Sequence, residues 1–195
     1  LIGLSLVNGV GASRIRALSA PFHGFVFGCT AGSAAHVFAA AVKPPGGYVV
    51  DLGVVQAIDD PTAIFVAGRS REERRIVVVG NRGRAAAVVE MPIAGFGNGV
   101  QEWGFHQPEM ETRLALSGER IRSAALLAPG ETLLCATEAR MLAIDLAGAS
   151  IASACDLPSS ASDVQALLPV SDRCFAGTRS GELLVVEQDP LRLHQ

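Results

Sequence analysis

Aromatic side chains are scarce in this 195-residue chain. They make up 5% of it, with a single tryptophan, Trp103, although 49% of the residues are hydrophobic. Slim side chains, Ala and Val above all, therefore carry the apolar content. That content excludes a disordered chain, which has too little apolar surface to collapse. It suits many narrow, buried strands. Charge is also sparse, with 18% charged residues and a net charge of −3. No dense basic run exists. The nearest is "GRSREERR" (68–75), where Glu72 and Glu73 interrupt the arginines. It reads as a solvated turn, and no nucleic-acid partner is expected. No apolar run reaches the roughly 18–20 residues of a membrane span. "LIGLSLV" (1–7) is short and has no basic flank before it, so it does not read as a signal peptide. The chain begins at Leu1, which suggests a processed or trimmed piece of a longer polypeptide.

Cysteine pairs are missing too. Cys29, Cys135, Cys155 and Cys174 lie too far apart for a Cys-x-x-Cys zinc pair. Three of them sit in apolar runs, where a free buried thiol is the usual state. Asn8, Asn81 and Asn98 all lack the hydroxyl residue of a glycosylation sequon. These features point to a reducing, cytoplasmic compartment. The four histidines, His23, His36, His106 and His194, share no metal-ligand spacing, and no cofactor is indicated. No Gly-x-Ser-x-Gly elbow is present. "RIVVVGNRGRAAAVV" (75–89) approaches a nucleotide-binding turn through Gly80 and Gly83, but the fingerprint lacks one glycine and no βαβ unit follows. A strand turn at Asn81–Gly83 explains the same residues, since Asn and Gly accept left-handed backbone angles.

What the chain does have is internal repetition. "CFAGTRSGELLVVEQDP" (174–190) reads as a β-hairpin, with two apolar runs about a turn carrying Ser180 and Gly181. Upstream lies "DVQAL" (163–167), and the same pattern occurs as "RIRAL" (14–18), "VVQAI" (54–58) and "RIRSA" (120–124). An apolar residue alternating with a long polar one is strand periodicity. Each copy is followed by a run of large then small residues: "VFGCT" (26–30), "FVAGR" (65–69), "LLCAT" (133–137) and "CFAGT" (174–178). A third run follows in each: "HVFAAAV" (36–42), "RIVVVG" (75–80), "MLAIDL" (141–146) and "LLVVEQ" (183–188). The links "GGYVVDLG" (46–53), "AAAVVEMP" (85–92) and "ASIASACDL" (149–157) supply a fourth strand. Two of the three spacings between copies match a four-stranded blade period of about 40–45 residues. The third is longer, and the surplus falls in the Gly- and Pro-rich segment 91–119, read as a loop inserted between the second and third blades.

"CFAGTRSGELLVVEQD" resembles the third and fourth strands of a WD-repeat or quinoprotein-like β-propeller blade. Val186-Glu187 stands where that pattern has Trp-Asp, and no Gly-His pair opens a unit. The expected fold is all-β: a single propeller or partial propeller over 1–195, with about four repeated four-stranded antiparallel blades. A sandwich would not explain the shared second and third runs. The resemblance implies a ring of more blades, so the expectation is an arc completed by another chain or by more of its own. An uncovered edge is an aggregation hazard, and a partner is expected to cover it.

The resemblance supports three functions: a non-catalytic protein-binding scaffold or complex subunit, a propeller-type hydrolase or quinoprotein-like oxidoreductase, and a glycan- or ligand-binding propeller. The absence of a convergent catalytic signature favours the scaffold. The expected partner contact is the aromatic stretch "GFGNGVQEWGFHQPEM" (95–110), with Phe96, Trp103, Phe105 and His106, because aromatic anchors dominate interface energetics. The enzyme reading requires His23, Asp59, Asp60 and His106 to converge on one pocket. Otherwise Asp59-Asp60-Pro61 is ordinary turn chemistry.

Overall fold

The structure is a computed structural model, and it describes residues 14–22, 24–41, 49–68, 75–92, 111–127, 131–159, 163–170, 173–188 and 191–194. It contains sixteen strands in four sheets, and no α-helix among the described residues. The first blade holds β1 (Ile15–Leu18), β2 (Phe25–Thr30), β3 (Ala35–Ala41) and β4 (Val49–Val55). The second holds β5 (Asp60–Ala67), β6 (Arg75–Arg82), β7 (Ala85–Pro92) and β8 (Glu111–Ser117). The third holds β9 (Ile121–Leu127), β10 (Thr132–Thr137), β11 (Arg140–Asp145) and β12 (Ser150–Asp156). The fourth holds β13 (Val164–Val170), β14 (Arg173–Thr178), β15 (Leu183–Gln188) and β16 (Leu191–His194). Each blade is an antiparallel meander in chain order.

The hairpin at 174–188 is thus the centre of the fourth blade. Its turn closes with the Gly181 N–H donating to the Thr178 carbonyl at 3.1 Å, and Gly181 takes a φ of 88°, where a side chain would be strained. Blades 1 and 3 follow the strand runs read from the sequence, as do the first three strands of blade 4, whose fourth strand, β16, lies beyond the last run read. Blade 2 does not. "VVQAI" belongs to the end of β4 and the turn after it, and residues 65–67 of "FVAGR" end the first strand, β5, instead of forming the second. "RIVVVG" is the second strand and "AAAVVEMP" the third. Pro61 hid β5, because proline lacks a ladder N–H. It is tolerated there because β5 is an edge strand, and a bulge between Pro61 and Ala63 absorbs the irregularity. Pro169 sits in the matching edge strand β13. The segment 91–119 is likewise no link between blades. Its residues 111–117 are β8, so 93–110 connects the third and fourth strands of blade 2. The alternation through Leu114 and Leu116 was masked by the Gly- and Pro-rich residues before it.

The first strands β1, β5, β9 and β13 touch in succession, which sets them around a common axis. Between consecutive sheets lie three apolar cores. Phe25, Phe27, Cys29 and Val37 of blade 1 meet Ile64, Ile76, Val78 and Val89 of blade 2. Val77, Val79, Val88 and Leu116 of blade 2 meet Ile121, Leu133, Cys135 and Leu142 of blade 3. Leu134, Ala136 and Met141 of blade 3 meet Cys174, Ala176, Leu184 and Val186 of blade 4. Full burial of each large residue stabilises the stack by about 1.5–3 kcal/mol. Among the described residues, no such core joins blade 4 to blade 1.

Candidate functional site

The start of each first strand pairs with the end of its second strand: Ile15 with Thr30, Asp60 with Asn81, Ile121 with Thr137 and Val164 with Thr178. One rim of the arc is therefore built from first-strand starts and second-to-third turns. Charged residues gather on it. Asp60, at the start of β5, accepts from Arg16 of β1 at 2.9 Å and from Arg120, beside β9, at 3.1 Å. One carboxylate thus ties three consecutive blades. Within blade 3, Arg122 pairs with Glu138 and Arg140 with Glu119. The Glu119 hydrogen bond and charge hold the Arg140 guanidinium above its ordinary range. In blade 4, Arg179 lies 3.9 Å from Asp163. Arg14 and Arg84 are exposed on the same rim.

Of the carboxylates singled out from the sequence, both lie on this rim. Asp59 is fixed through its backbone: its N–H donates to the Asn81 carbonyl, and its carbonyl accepts from Gly32. Asp60 is the rivet just described, not a free acid in a turn. His23, Phe96, Trp103, Phe105 and His106 lie outside the described residues. The sequence reading passed over Arg16, Arg120 and Arg122. Their signal was present in the repeated arginines of "RIRAL" and "RIRSA", which were read as a wet strand face only.

A concavity of about 480 Å³ opens between β12 and β16, away from the rim. Cys155, Leu157, Leu191, Leu193 and His194 line it, and His194 Nε2 sits 3.2 Å from Glu187. Burial, then the Asp156 charge, raise the Cys155 pKa, so this thiol keeps its proton at neutral pH and is a poor nucleophile.

All four cysteines are free. Burial pushes Cys29 up to about 12 and Cys174 to about 11, and Cys135 upward as well, from an ordinary 9.0. The folded chain holds thiol protons that the unfolded chain releases near pH 9. The stabilisation is whole below that pH and declines above it, by about 1.4 kcal/mol per pH unit for each thiol. Urea midpoints should fall between pH 8.5 and 10.5, and Cys135→Ala should make that fall shallower. An unchanged slope in the variant would refute the assignment. In the native protein, Cys155 should react with a thiol reagent well before the other three.

Stacked four-stranded antiparallel meanders with their first strands about an axis define a β-propeller fold. The chain has this fold. No known family pattern matches its sequence, and no curated protein is similar to it in sequence. Solved structures are similar in fold. The periplasmic gluconolactonase PpgL of Pseudomonas aeruginosa superposes with a TM-score of 0.66 at 14% identity, over 92% of this chain and 56% of that one. Apo AztD from Citrobacter koseri gives 0.58 at 8% identity, over 93% and 46%. Sqt1 of Chaetomium thermophilum, bound to the N-terminus of the ribosomal protein L10, gives 0.55 at 13% identity, over 94% and 62%. The chain thus spans 46–62% of the length of these three proteins. At such identities the likeness shows the fold alone. No helix among the described residues is long and apolar enough to cross a membrane.

Proposed function

We propose that the chain is a non-catalytic binding scaffold, a subunit that presents its charged rim to a protein partner. The observation that carries this reading is Asp60. Both of its oxygens are engaged by arginines from neighbouring blades, so it serves as a structural tie instead of a general base or nucleophile. The arginines left outward on the rim, Arg14 and Arg84, suit carboxylates of a partner. The aromatic stretch with Phe96, Trp103, Phe105 and His106 is proposed as a further part of the contact, on its sequence alone.

Two measurements test this. Asp60→Asn should lower stability by only about 1 kcal/mol, and the loss should shrink in high salt, because the ion pairs are partly exposed. A single co-purifying protein should bind the wild-type chain and be lost with the double variant Arg14→Glu, Arg84→Glu. Turnover of an ester or lactone by the purified chain, abolished by Asp60→Asn with the fold intact, would overturn the reading in favour of an enzyme.

A further inference from the structure

We propose that the outer edge of β12 binds an extended segment of a partner protein, which adds to blade 3 as a fifth strand and sets an apolar side chain into the groove against β16. The surface lies outward of the charged rim and gives the scaffold reading a second contact. The inference starts from the sheet order. β12 is the last strand of blade 3 and pairs on one side only, with β11. Along its other side, the N–H and C=O groups that point outward have no strand partner among the described residues. Such a row is a template for another strand.

The outermost strand of every blade presents such an edge, and the other three are guarded. β4 carries Asp51, β8 carries Glu111 and Arg113, and β16 is four residues long and carries Arg192. Charge and shortness are the usual means of blunting an edge. β12 has seven residues, and Ser150 to Cys155 hold no charge and no proline. Ile151 on the same strand is 39% exposed. The one irregularity of β12 is a bulge at Ala152, between the pairs Ser153 with Ala143 and Ile151 with Ile144. From Ser153 to Asp156 the register with β11 is unbroken, so the free edge keeps a regular strand spacing there.

The end of this regular stretch borders the concavity between β12 and β16. Leu157 and Leu191 in its lining are buried members of the core between blades 3 and 4. Cys155 and Leu193 pack against the same core and are only half-buried. Asp156 and Arg192 alternate with these residues along their strands and so belong to the opposite faces. The groove therefore continues the apolar seam of blades 3 and 4 outward, with about 480 Å³ of room for apolar side chains. A strand laid along Ser153 to Asp156 directs every second side chain toward blade 4, over this groove. Main-chain pairing then supplies affinity, and the groove selects the side chain. A helix has already spent its main-chain groups within itself, so the occupant that fits the edge is an extended segment with alternating apolar and polar residues.

The test begins with random short peptides displayed on phage and selected on the purified chain. The selected peptides should alternate apolar and polar residues. One of them, resynthesised with N-methyl groups on alternate residues, should lose about 10-fold or more in affinity in one of the two alternation patterns and keep it in the other, because only one set of amides pairs with the edge. Ala154→Lys, at an exposed position, should weaken binding by a similar factor without moving the melting temperature. In amide exchange, the outward N–H groups of residues 153–156 should be unprotected in the free chain and protected by the peptide. Protection in the free chain would mean that this polypeptide already covers the edge, and would overturn the proposal. So would an empty selection, or N-methyl patterns that weaken binding equally or not at all. The double variant Arg14→Glu, Arg84→Glu should bind the peptide as well as wild type does. Peptides lost with that variant and indifferent to Ala154→Lys sit on the rim, which would defeat the β12 edge and leave the scaffold reading standing.

Discussion

Replacing Gly80 with valine will destabilise the fold by about 3 kcal/mol, because the site has no room for a side chain. Gly80 lies in β6 opposite Pro61. A Cβ there would sit 2.6 Å from Ile58 Cγ2, 2.7 Å from the Asp60 carbonyl oxygen and 2.7 Å from Pro61 Cα. Two of these three atoms are backbone, and Ile58 is fully buried, so nothing flexible can yield. The bulge at Pro61 brings the two strands this close, and the glycine is what permits it. For a chain of this size, the melting temperature should fall by roughly 6–12 °C. Gly83 provides the contrast. Space around it is open, but its φ is +61°, so Gly83→Ala should cost only about 1 kcal/mol, from backbone strain alone. If Gly80 and Gly83 were phosphate-binding glycines, Gly80→Val would leave the melting temperature in place and abolish nucleotide binding. Thermal melts of the two variants separate these cases.

Gly80 also shows where sequence reading succeeds and where it stops. Strands in blades 1 and 3, and the first three of blade 4, were readable because alternation, small-residue runs and Gly or Ser turns all agree locally; β16, only four residues long, offers too short a run to read. In blade 2 the local signals conflict. Pro61 argues against the strand that contains it, and the run "FVAGR" copies the wording of a second strand while serving as the end of a first. Only the sheet neighbours resolve this, and they are tertiary. The rim was readable in part. Asp60 could be singled out as a carboxylate in a turn, but its partners Arg16 and Arg120 lie 44 and 60 residues away. No spacing rule links residues that meet only when three blades stack. The same holds for the groove, where Leu157 and Leu191 come together only when blades 3 and 4 pack.

The seam between blades 2 and 3 should fail most sharply at Asn81. This side chain is buried at the end of β6 and reaches across to the first residue of β9. Its Oδ1 accepts from the Ile121 N–H at 2.8 Å, and its Nδ2 donates to the Ile121 carbonyl at 2.9 Å. The Thr62 hydroxyl, 3.4 Å from the same carbonyl, is a weaker partner. Asn81→Leu keeps the volume and removes both bonds. The Ile121 N–H loses this partner, and its carbonyl is left with the weak one, inside a seam that water does not reach. The expected loss is about 2–5 kcal/mol, seen as a lower urea midpoint. Asn81→Asp separates polarity from volume. Its carboxylate can still accept from the Ile121 N–H, but its second oxygen faces the carbonyl that Nδ2 once served. That repulsion raises the carboxyl pKa in the folded state above its value of about 3.9 in the unfolded chain. The folded state then prefers the protonated form, which can donate to the Ile121 carbonyl. Stability relative to wild type is therefore greatest below pH 4 and declines as the pH rises through the folded pKa. Urea midpoints of wild type and Asn81→Asp should converge near pH 4 and separate by pH 7. A gap that stays constant over that range would show that the pair of bonds to Ile121 does not hold the seam.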